Sequence, residues 1–356
     1  MHKHQELLLS QISNLNNLNI KTEDNFLCSL SPQDLAGFFV NVTMLTTALE
    51  YFKEERWLHR HQPGTFSEFM DQAFHSELMA LAFLADKIEN SSEADLKQMA
   101  KQVLALEQQC IKSVRELPFL QQKDFAREAL QMMAALFSKE ADLSSEKKSA
   151  GAFLSLSLYR SFDGLDEIFG LNYQADHGMK TDLTIRERLY EGAGVGVQSS
   201  YSTLLNTLRV IAPSQGSRFI DLGSGYGRVG LVVGLMRPDI DFVGYEYVGH
   251  RVDIAENIAH NLEINKHVQF LTQDLADSKF QIPDAEVYYM YDPFSEETYR
   301  HVLNQLIEVS KRRQITIVTK GNAQSWLREL ALENGWEPGQ QFDGDSLSFF
   351  KSKVVE

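Results

Sequence analysis

The chain contains little cysteine, no excess of positive charge and no long hydrophobic run. Its two cysteines, Cys28 and Cys110, lie far apart and have no histidine at metal-ligand spacing. They indicate reduced thiols in a cytoplasmic protein rather than a disulfide framework. The apolar residues 78–86 are far fewer than the roughly 20 that cross a bilayer, and the leucines at 7–9 are too short a block for a signal peptide. We therefore expect no membrane partner.

The charge balance argues against one class of partner. The net charge is −15 at pH 7, from 34 basic and 49 acidic side chains. Contacts to a nucleic-acid backbone need clustered lysine and arginine, so we expect no nucleic-acid partner. A basic protein or a neutral metabolite fits an acidic field better.

The N-terminal part of the chain has apolar residues at helical spacing. Helices are predicted to begin at Ser31-Pro32, at the capping box from Thr65 and near Ser92, the last of these ending at Pro118 before a fourth helix. Short connections predict an antiparallel bundle over residues 1–150. Residues 151–190 are predicted to form a connector of helix and loop.

Beyond this connector the pattern changes to alternating strands and helices. That alternation predicts an α/β fold with a doubly wound, Rossmann-like sheet over residues 191–356. A turn at residues 343–345 between two strand-like runs predicts a closing antiparallel β-hairpin. The predicted strands are 218–222, 241–246, 268–272, 286–292 and 314–320, and the predicted helices are 228–236, 252–264, 296–309 and 325–334.

A glycine-rich loop follows the first of these strands, in the sequence FIDLGSGYGRVG. Glycine permits positive φ and leaves no Cβ in the way of a ligand, so Gly223, Gly225 and Gly227 predict a ligand-binding loop. The segment satisfies G-x-G-x-x-G, and Glu246 follows at the distance typical of an acid that holds a ribose. These features alone favour NAD, which keeps an NAD-dependent oxidoreductase as one alternative.

Asp221, directly before the loop, favours a different ligand. A carboxylate at the tip of the strand repels a pyrophosphate but pairs with the ammonium of an amino-acid group. S-adenosylmethionine has that ammonium, a ribose for Glu246 and no phosphates. It is therefore the predicted cofactor.

The segment FIDLGSGYGRVG, with FVGYEY after it, resembles the class I S-adenosylmethionine-dependent methyltransferases. The resemblance covers about residues 190–356. It implies a loop that supports the nucleoside, an acid that accepts both ribose hydroxyls, and a carboxylate and two apolar side chains around the adenine. The implied cofactor-binding residues are Gln198, Asp221, Gly223, Ser224, Gly225, Gly227, Glu246, Tyr247, Asp274 and Leu275.

A finer likeness is to the non-SET histone lysine methyltransferases. The sequence LYEGAGVGVQSSYSTLLNTL, which precedes the first strand, is similar to the loop of glycine, acidic, serine and aromatic residues in that family. Gln198 replaces the acid of that loop, and Tyr291-Asp292-Pro293 stands where that family has Asn-Asn-Phe. The likeness therefore supports the cofactor geometry, and lysine specificity is not carried over.

The candidate catalytic residues follow the fourth predicted strand. Many class I members carry Asn- or Asp-Pro-Pro-aromatic there, and this chain has Tyr291-Asp292-Pro293-Phe294 with a single proline. Asp292 is predicted to accept a hydrogen bond from the methyl acceptor or to act as a base. Tyr201, Tyr291 and Phe294 are predicted to face the sulfonium. An ordinary turn and aromatic core packing are the alternatives.

The combined prediction is a methyltransferase acting on a nitrogen or oxygen acceptor, in a protein side chain or a small molecule. The helical domain is expected to cap the cofactor cleft, select the substrate or form a homodimer. A third alternative is a non-catalytic protein that binds the nucleoside and recruits partners. No metal site is predicted, since the histidines at 59 and 61 resemble an exposed polar helix face.

Overall fold

The computed structural model divides the chain into two compact units. The first comprises Met1–Phe169 and Ser200–Leu205, and the second comprises Gly170–Ser199 and Asn206–Glu356. The units therefore divide near residue 170, whereas the predicted boundaries lie at 150 and 190. The described residues are 3–13, 26–61, 63–75, 78–145, 161–176, 198–291, 294–321, 323–342 and 347–353.

The first unit is built from helices. Three short 3-10 turns, at Leu27–Ser29, Met79–Leu84 and Ser161–Asp163, interrupt them. The helices are α1 (Lys3–Ser13), α2 (Pro32–Leu58), α3 (Pro63–His75), α4 (Ala85–Glu89), α5 (Glu93–Arg115), α6 (Phe119–Ser145) and α7 (Gly164–Phe169).

Two of these helices begin where capping predicts. The Ser31 hydroxyl accepts the Asp34 N–H at 3.1 Å at the start of α2. Ser92 and Asp95 form a reciprocal capping box at the start of α5. In both cases a side-chain oxygen satisfies a backbone N–H that has no partner within the helix. By contrast, α3 begins at Pro63, two residues before the predicted box.

Helix α2 packs against α5 and α6 and forms the centre of this unit. Within the described part of the chain it is the one helix that is long and apolar enough to cross a membrane, and 78% of its most apolar window is buried inside the protein. Among the described residues, α2 rather than residues 78–86 is therefore the segment that meets the length and composition of a membrane span. Phe38, Phe39 and Phe52 of α2 are fully buried.

The second unit contains a seven-stranded sheet of order β3-β2-β1-β4-β5-β7-β6. Strands β1 to β5 pair in parallel, and β7 pairs antiparallel to both β5 and β6. This arrangement confirms the predicted doubly wound sheet with a closing hairpin. The strands are β1 (Arg218–Leu222), β2 (Asp241–Glu246), β3 (Val268–Thr272), β4 (Val287–Tyr291), β5 (Thr316–Lys320), β6 (Gln340–Phe342) and β7 (Leu347–Lys351).

Within the described residues, five more helices follow α7. Helix α8 has its first residues in the first unit and residues 206–211 in the second, and a 3-10 turn at Tyr173–Asp176 also belongs to the second unit. The helices are α8 (Tyr201–Ile211), α9 (Arg228–Met236), α10 (Gly249–Asn261), α11 (Glu296–Ser310) and α12 (Ala323–Glu333).

The order of the strands locates the ligand cleft. Strands β2 and β3 lie on one side of β1, and β4 and β5 lie on the other. In an open α/β sheet, ligands bind outside the carboxyl ends of the strands at the point where the strand order reverses. That point lies between β1 and β4, so the carboxyl ends of these strands, at Leu222 and Tyr291, border the expected cleft.

Candidate functional site

A buried carboxylate stands at the carboxyl end of β1. Asp221 pairs in register with Gly244 of β2 and Tyr289 of β4 and is 2% exposed. Its Oδ2 is buried and has no hydrogen-bond partner among the residues that the structure describes. A buried carboxylate oxygen without a partner is costly, so this position indicates a ligand that completes it.

The surroundings of Asp221 oppose its ionisation. Burial raises the pKa of the Asp221 carboxyl well above its usual range, and the nearby negative charge of Glu246 raises it further. A cation placed against Oδ2 would favour the charged form and reverse part of this shift. The site therefore favours a cationic ligand group.

The glycine loop places backbone groups next to Asp221. Gly223, Gly225 and Gly227 have φ of +98°, +54° and +87°, in the left-handed region that glycine tolerates. The N–H groups of Gly223 and Ser224 both donate to the Tyr245 carbonyl at 2.9 Å. The Ser224 hydroxyl is buried and, within the described ranges, has no hydrogen-bond partner.

The glycines of this segment differ in what surrounds them. A Cβ on Gly227 would lie 2.7 Å from the Ala255 Cβ and 2.8 Å from Phe270, and a Cβ on Gly230 would also collide with Phe270. Among the described residues, such a Cβ on Gly225 would have one neighbour within 4 Å, the Gln198 side chain at 3.3 Å. Gly227 and Gly230 are therefore required for packing of α9, whereas a Cβ on Gly225 would meet the end of one flexible side chain.

The Glu246 carboxylate is held in place by hydrogen bonds from backbone N–H groups, one of them in the glycine loop. It ends β2, is 7% exposed, and its Oε2 accepts the Gly225 N–H at 2.8 Å while Oε1 accepts the Val248 N–H at 3.0 Å. Arg251 Nη1 lies 3.7 Å from Oε1. Each carboxylate oxygen has two lone pairs, so Glu246 keeps acceptor capacity for ligand hydroxyls.

The predicted residues around the adenine lie in different environments. Tyr247 is 40% exposed beside Glu246. Asp274 is exposed, and its Oδ1 accepts the Ala276 N–H at 2.8 Å at the start of a turn. Leu275 is buried in the core cluster with Tyr245. Their contacts with a nucleoside remain predictions.

The predicted catalytic residues differ in burial and in the side chains that they contact. Tyr291 is half-buried at the end of β4, with Lys320 Nζ 4.8 Å from its ring centre. Phe294 is buried against Tyr299, with ring centres 5.1 Å apart. Asp292 lies outside the described residues, so its predicted role stays a prediction.

Tyr201 belongs to the first unit rather than to the unit that contains the loop. Its side chain is fully buried, and its hydroxyl donates to Asp166 at 2.7 Å. These contacts are those of a core side chain, and its predicted contact with the sulfonium stays a prediction.

Sequence reasoning missed several charged residues next to the loop. Arg228 is 2% exposed, and its Nη1 donates to the Ser199 carbonyl at 3.0 Å. Asp176 is fully buried and accepts Arg251 through both carboxylate oxygens. Arg228 could have been found from the sequence, because it is a charged residue next to the apolar run of α9. The pairing of Asp176 with Arg251 could not, because the two residues lie far apart in sequence.

Removing the charge at position 221 should stabilise the unliganded protein. Because the folded-state pKa of Asp221 is raised, the contribution of this residue to stability is most favourable at low pH and falls as pH rises from about 4 towards that raised pKa. Asp221→Asn removes this penalty, so Tm should rise by about 2–4 °C at pH 8 and by little at pH 4. Thermal unfolding of both proteins across this range tests the effect. A variant less stable than wild type at pH 8 would contradict it.

Comparison with known proteins gives short matches. No family model matches the chain. It is 39% identical over 62 residues to ribosomal RNA small subunit methyltransferase G of Vibrio cholerae, covering 17% of this chain and 30% of that protein. It is 36% identical over 75 residues to the protein of the same name from Yersinia enterocolitica, covering 20% and 36%. The matches thus span about a third of the length of these relatives.

Among solved structures, an RNA methyltransferase from Salinibacter ruber in complex with S-adenosyl-L-homocysteine is 18% identical, with a TM-score of 0.35. The alignment covers 45% of this chain and 95% of that one. A precorrin-6y C5,15-methyltransferase from Geobacter metallireducens is 10% identical, with a TM-score of 0.36, over 46% of this chain and 91% of that one.

These relatives overturn one prediction. The inference from net charge that nucleic acid is excluded as a partner is wrong, because the matched sequences are ribosomal RNA methyltransferases. Net charge sums over the whole surface, whereas binding depends on the local field. The same relatives give no support to the finer likeness to histone lysine methyltransferases.

Proposed function

We propose that this protein is an S-adenosylmethionine-dependent methyltransferase. The observation that carries the proposal is Asp221, a buried carboxylate with an unsatisfied Oδ2 at the mouth of a positive-φ glycine loop. The ammonium of S-adenosylmethionine is the charge complement of that oxygen. The cofactor's ribose would bind at Glu246, whose carboxylate is already oriented by two backbone N–H groups.

The same oxygen disfavours the oxidoreductase alternative. A dinucleotide would bring a pyrophosphate to the loop, where the charge of Glu246 repels it and where no cation would be supplied to the Asp221 carboxyl, whose pKa is raised. Because Glu246 is nearly buried, little solvent is present to screen that repulsion.

The protein is assigned two tasks in methyl transfer, which are to align the acceptor with the methyl group and to exclude water. S-adenosylmethionine supplies an electrophilic methyl group on a sulfonium. The chain's part is to hold the acceptor in line with that methyl and to keep the cleft dry. Tyr291, at the carboxyl end of β4, presents an aromatic ring at the border of the cleft, where a ring stabilises a cationic sulfur.

We propose RNA as the acceptor class. The matched relatives are ribosomal RNA methyltransferases, and the cleft border has a side chain suited to a nucleotide. Lys320, at the end of β5 with its Nζ 4.8 Å from the Tyr291 ring centre, offers a cation for a phosphate at this border. A local cation of this kind can bind RNA on a chain that is acidic overall.

Transfer of a labelled methyl group tests both parts of this proposal. The purified protein should transfer tritium from S-adenosylmethionine into RNA extracted from cells lacking the protein, and ribonuclease should release the label. Asp221→Asn should reduce transfer at least 100-fold. Label that ribonuclease leaves and protease releases would contradict the RNA acceptor. No transfer into RNA, protein or small molecules would contradict the methyltransferase assignment.

A further inference from the structure

A short segment before the sheet is tied to the glycine loop by a buried ion pair. Asp176 ends the 3-10 turn Tyr173–Asp176, and its carboxylate is fully buried. Its Oδ1 accepts the Tyr226 hydroxyl at 2.7 Å and lies 2.8 Å from His250 Nε2. Arg251 donates from Nε at 3.1 Å and from Nη2 at 2.7 Å, one bond to each carboxylate oxygen.

The charge on Asp176 is maintained in spite of its burial. Burial opposes ionisation, but the hydrogen bonds from Arg251, Tyr226 and His250 lower the pKa of the carboxyl below its usual value. A bidentate pair between arginine and a carboxylate fixes the guanidinium in orientation as well as in position. Asp176 therefore determines where Arg251 points.

Arg251 in turn lies close to Glu246, the residue predicted to bind the ribose. With Nε and Nη2 directed at Asp176, the remaining nitrogen Nη1 lies 3.7 Å from Glu246 Oε1. Arg251 is 6% exposed and Glu246 is 7% exposed, so solvent screens their attraction only weakly. The positive charge of Arg251 therefore lies beside the Glu246 carboxylate in a place shielded from solvent.

A second connection runs from the same turn to the loop backbone. Tyr226 lies between Gly225 and Gly227, and its ring meets Tyr173 edge-on with centres 4.8 Å apart. Arg228 Nη2 donates to the Tyr173 hydroxyl at 3.4 Å. The turn therefore contacts the loop through Tyr226 and Arg228, and contacts Glu246 indirectly through Arg251.

We propose that Asp176 is a positioning residue of the cofactor site, which orients Glu246 through Arg251 and holds the glycine loop through Tyr226. This inference rests on the proposed function, because it assigns Glu246 to the ribose of S-adenosylmethionine. Asp176 itself touches neither the cofactor nor the acceptor in this account. Its effect is on affinity for the nucleoside.

Asp176→Asn tests the proposal, because an amide keeps the shape of the side chain but presents one acceptor in place of two. S-adenosylhomocysteine affinity, measured by calorimetry on the full chain, should fall about tenfold. Asp239→Asn is the matched control, because Asp239 accepts Nε and Nη2 of Arg237 at 2.8 Å each in the same forked geometry. That pair follows α9 at the amino end of β2, so its loss should change affinity less than twofold.

A double-mutant cycle separates positioning from a general loss of structure. In a Glu246→Gln background, Asp176→Asn should weaken binding about threefold rather than tenfold, because the carboxylate that it orients is gone and only its contact with Tyr226 remains to be disturbed. If Asp176→Asn does not fold, Arg251→Gln replaces it in the same cycle with the same expected result. An unchanged affinity, or an equal loss in both backgrounds, would overturn the proposal. Failure of the wild type to bind S-adenosylhomocysteine would instead overturn the proposed function on which the inference rests.

Discussion

Replacing Asp221 by asparagine should weaken binding of S-adenosylhomocysteine by about 100-fold or more. The ligand carries the same ammonium as S-adenosylmethionine, and the variant offers that ammonium a neutral amide in a buried place. Loss of one member of a buried charge pair costs about 3–5 kcal/mol, and about 2.7 kcal/mol already corresponds to 100-fold. Isothermal titration calorimetry of the two proteins measures the difference.

The Asp221 result is informative because stability and binding should change in opposite directions. The variant should be more stable than wild type without ligand, so weaker binding cannot come from unfolding. Asp239→Asn again serves as a control, since it removes an acid from the same unit away from the loop. Equal affinity of Asp221→Asn and wild type would remove the main support for the proposed cofactor.

Substitution of Gly227 by alanine should destabilise the second unit by about 2–4 kcal/mol. The residue has φ of +87°, which costs a residue with a Cβ about 1–2 kcal/mol. The added carbon would also lie 2.7 Å from the Ala255 Cβ, and overpacking of this kind costs about 1–3 kcal/mol. Urea denaturation followed by circular dichroism measures the loss.

Gly225→Ala is the matched variant for this experiment. It is also a positive-φ glycine of the same loop, but among the described residues its Cβ would meet the end of the flexible Gln198 side chain alone. Its cost should be about 1 kcal/mol, from backbone strain alone. Equal destabilisation by the two substitutions would show that the glycines do not differ in the way that the packing indicates.

The sequence was sufficient to predict the sheet and the loop. Strands β1, β2 and β3 match their predicted bounds, because a buried parallel strand is a short apolar run between turn residues. Asp221 and the three glycines could also be recognised, because they follow directly after such a strand in the sequence. Helix α10 begins at Gly249, three residues before the prediction, because its first turn has no capping side chain to mark it.

The contacts around the loop could not be predicted in this way. Asp176 reaches Arg251 across 75 residues, and no local pattern connects them. Gly225 and Gly227 look equivalent in the sequence, and only the positions of Ala255 and Phe270 distinguish them. The prediction about nucleic acid was wrong because composition does not show where the charges lie on the surface. The contact between Lys320 and Tyr291, for example, depends on β4 lying beside β5.

The most direct test of the account is a calorimetric titration of the wild-type protein with S-adenosylhomocysteine and with NAD, in two buffers of different ionisation enthalpy. We expect S-adenosylhomocysteine to bind with release of a proton from Asp221, whose raised pKa falls when it pairs with the ammonium. We expect NAD to bind much more weakly. Tighter binding of NAD than of S-adenosylhomocysteine would contradict the claim that this buried acid selects a cationic ligand without phosphates.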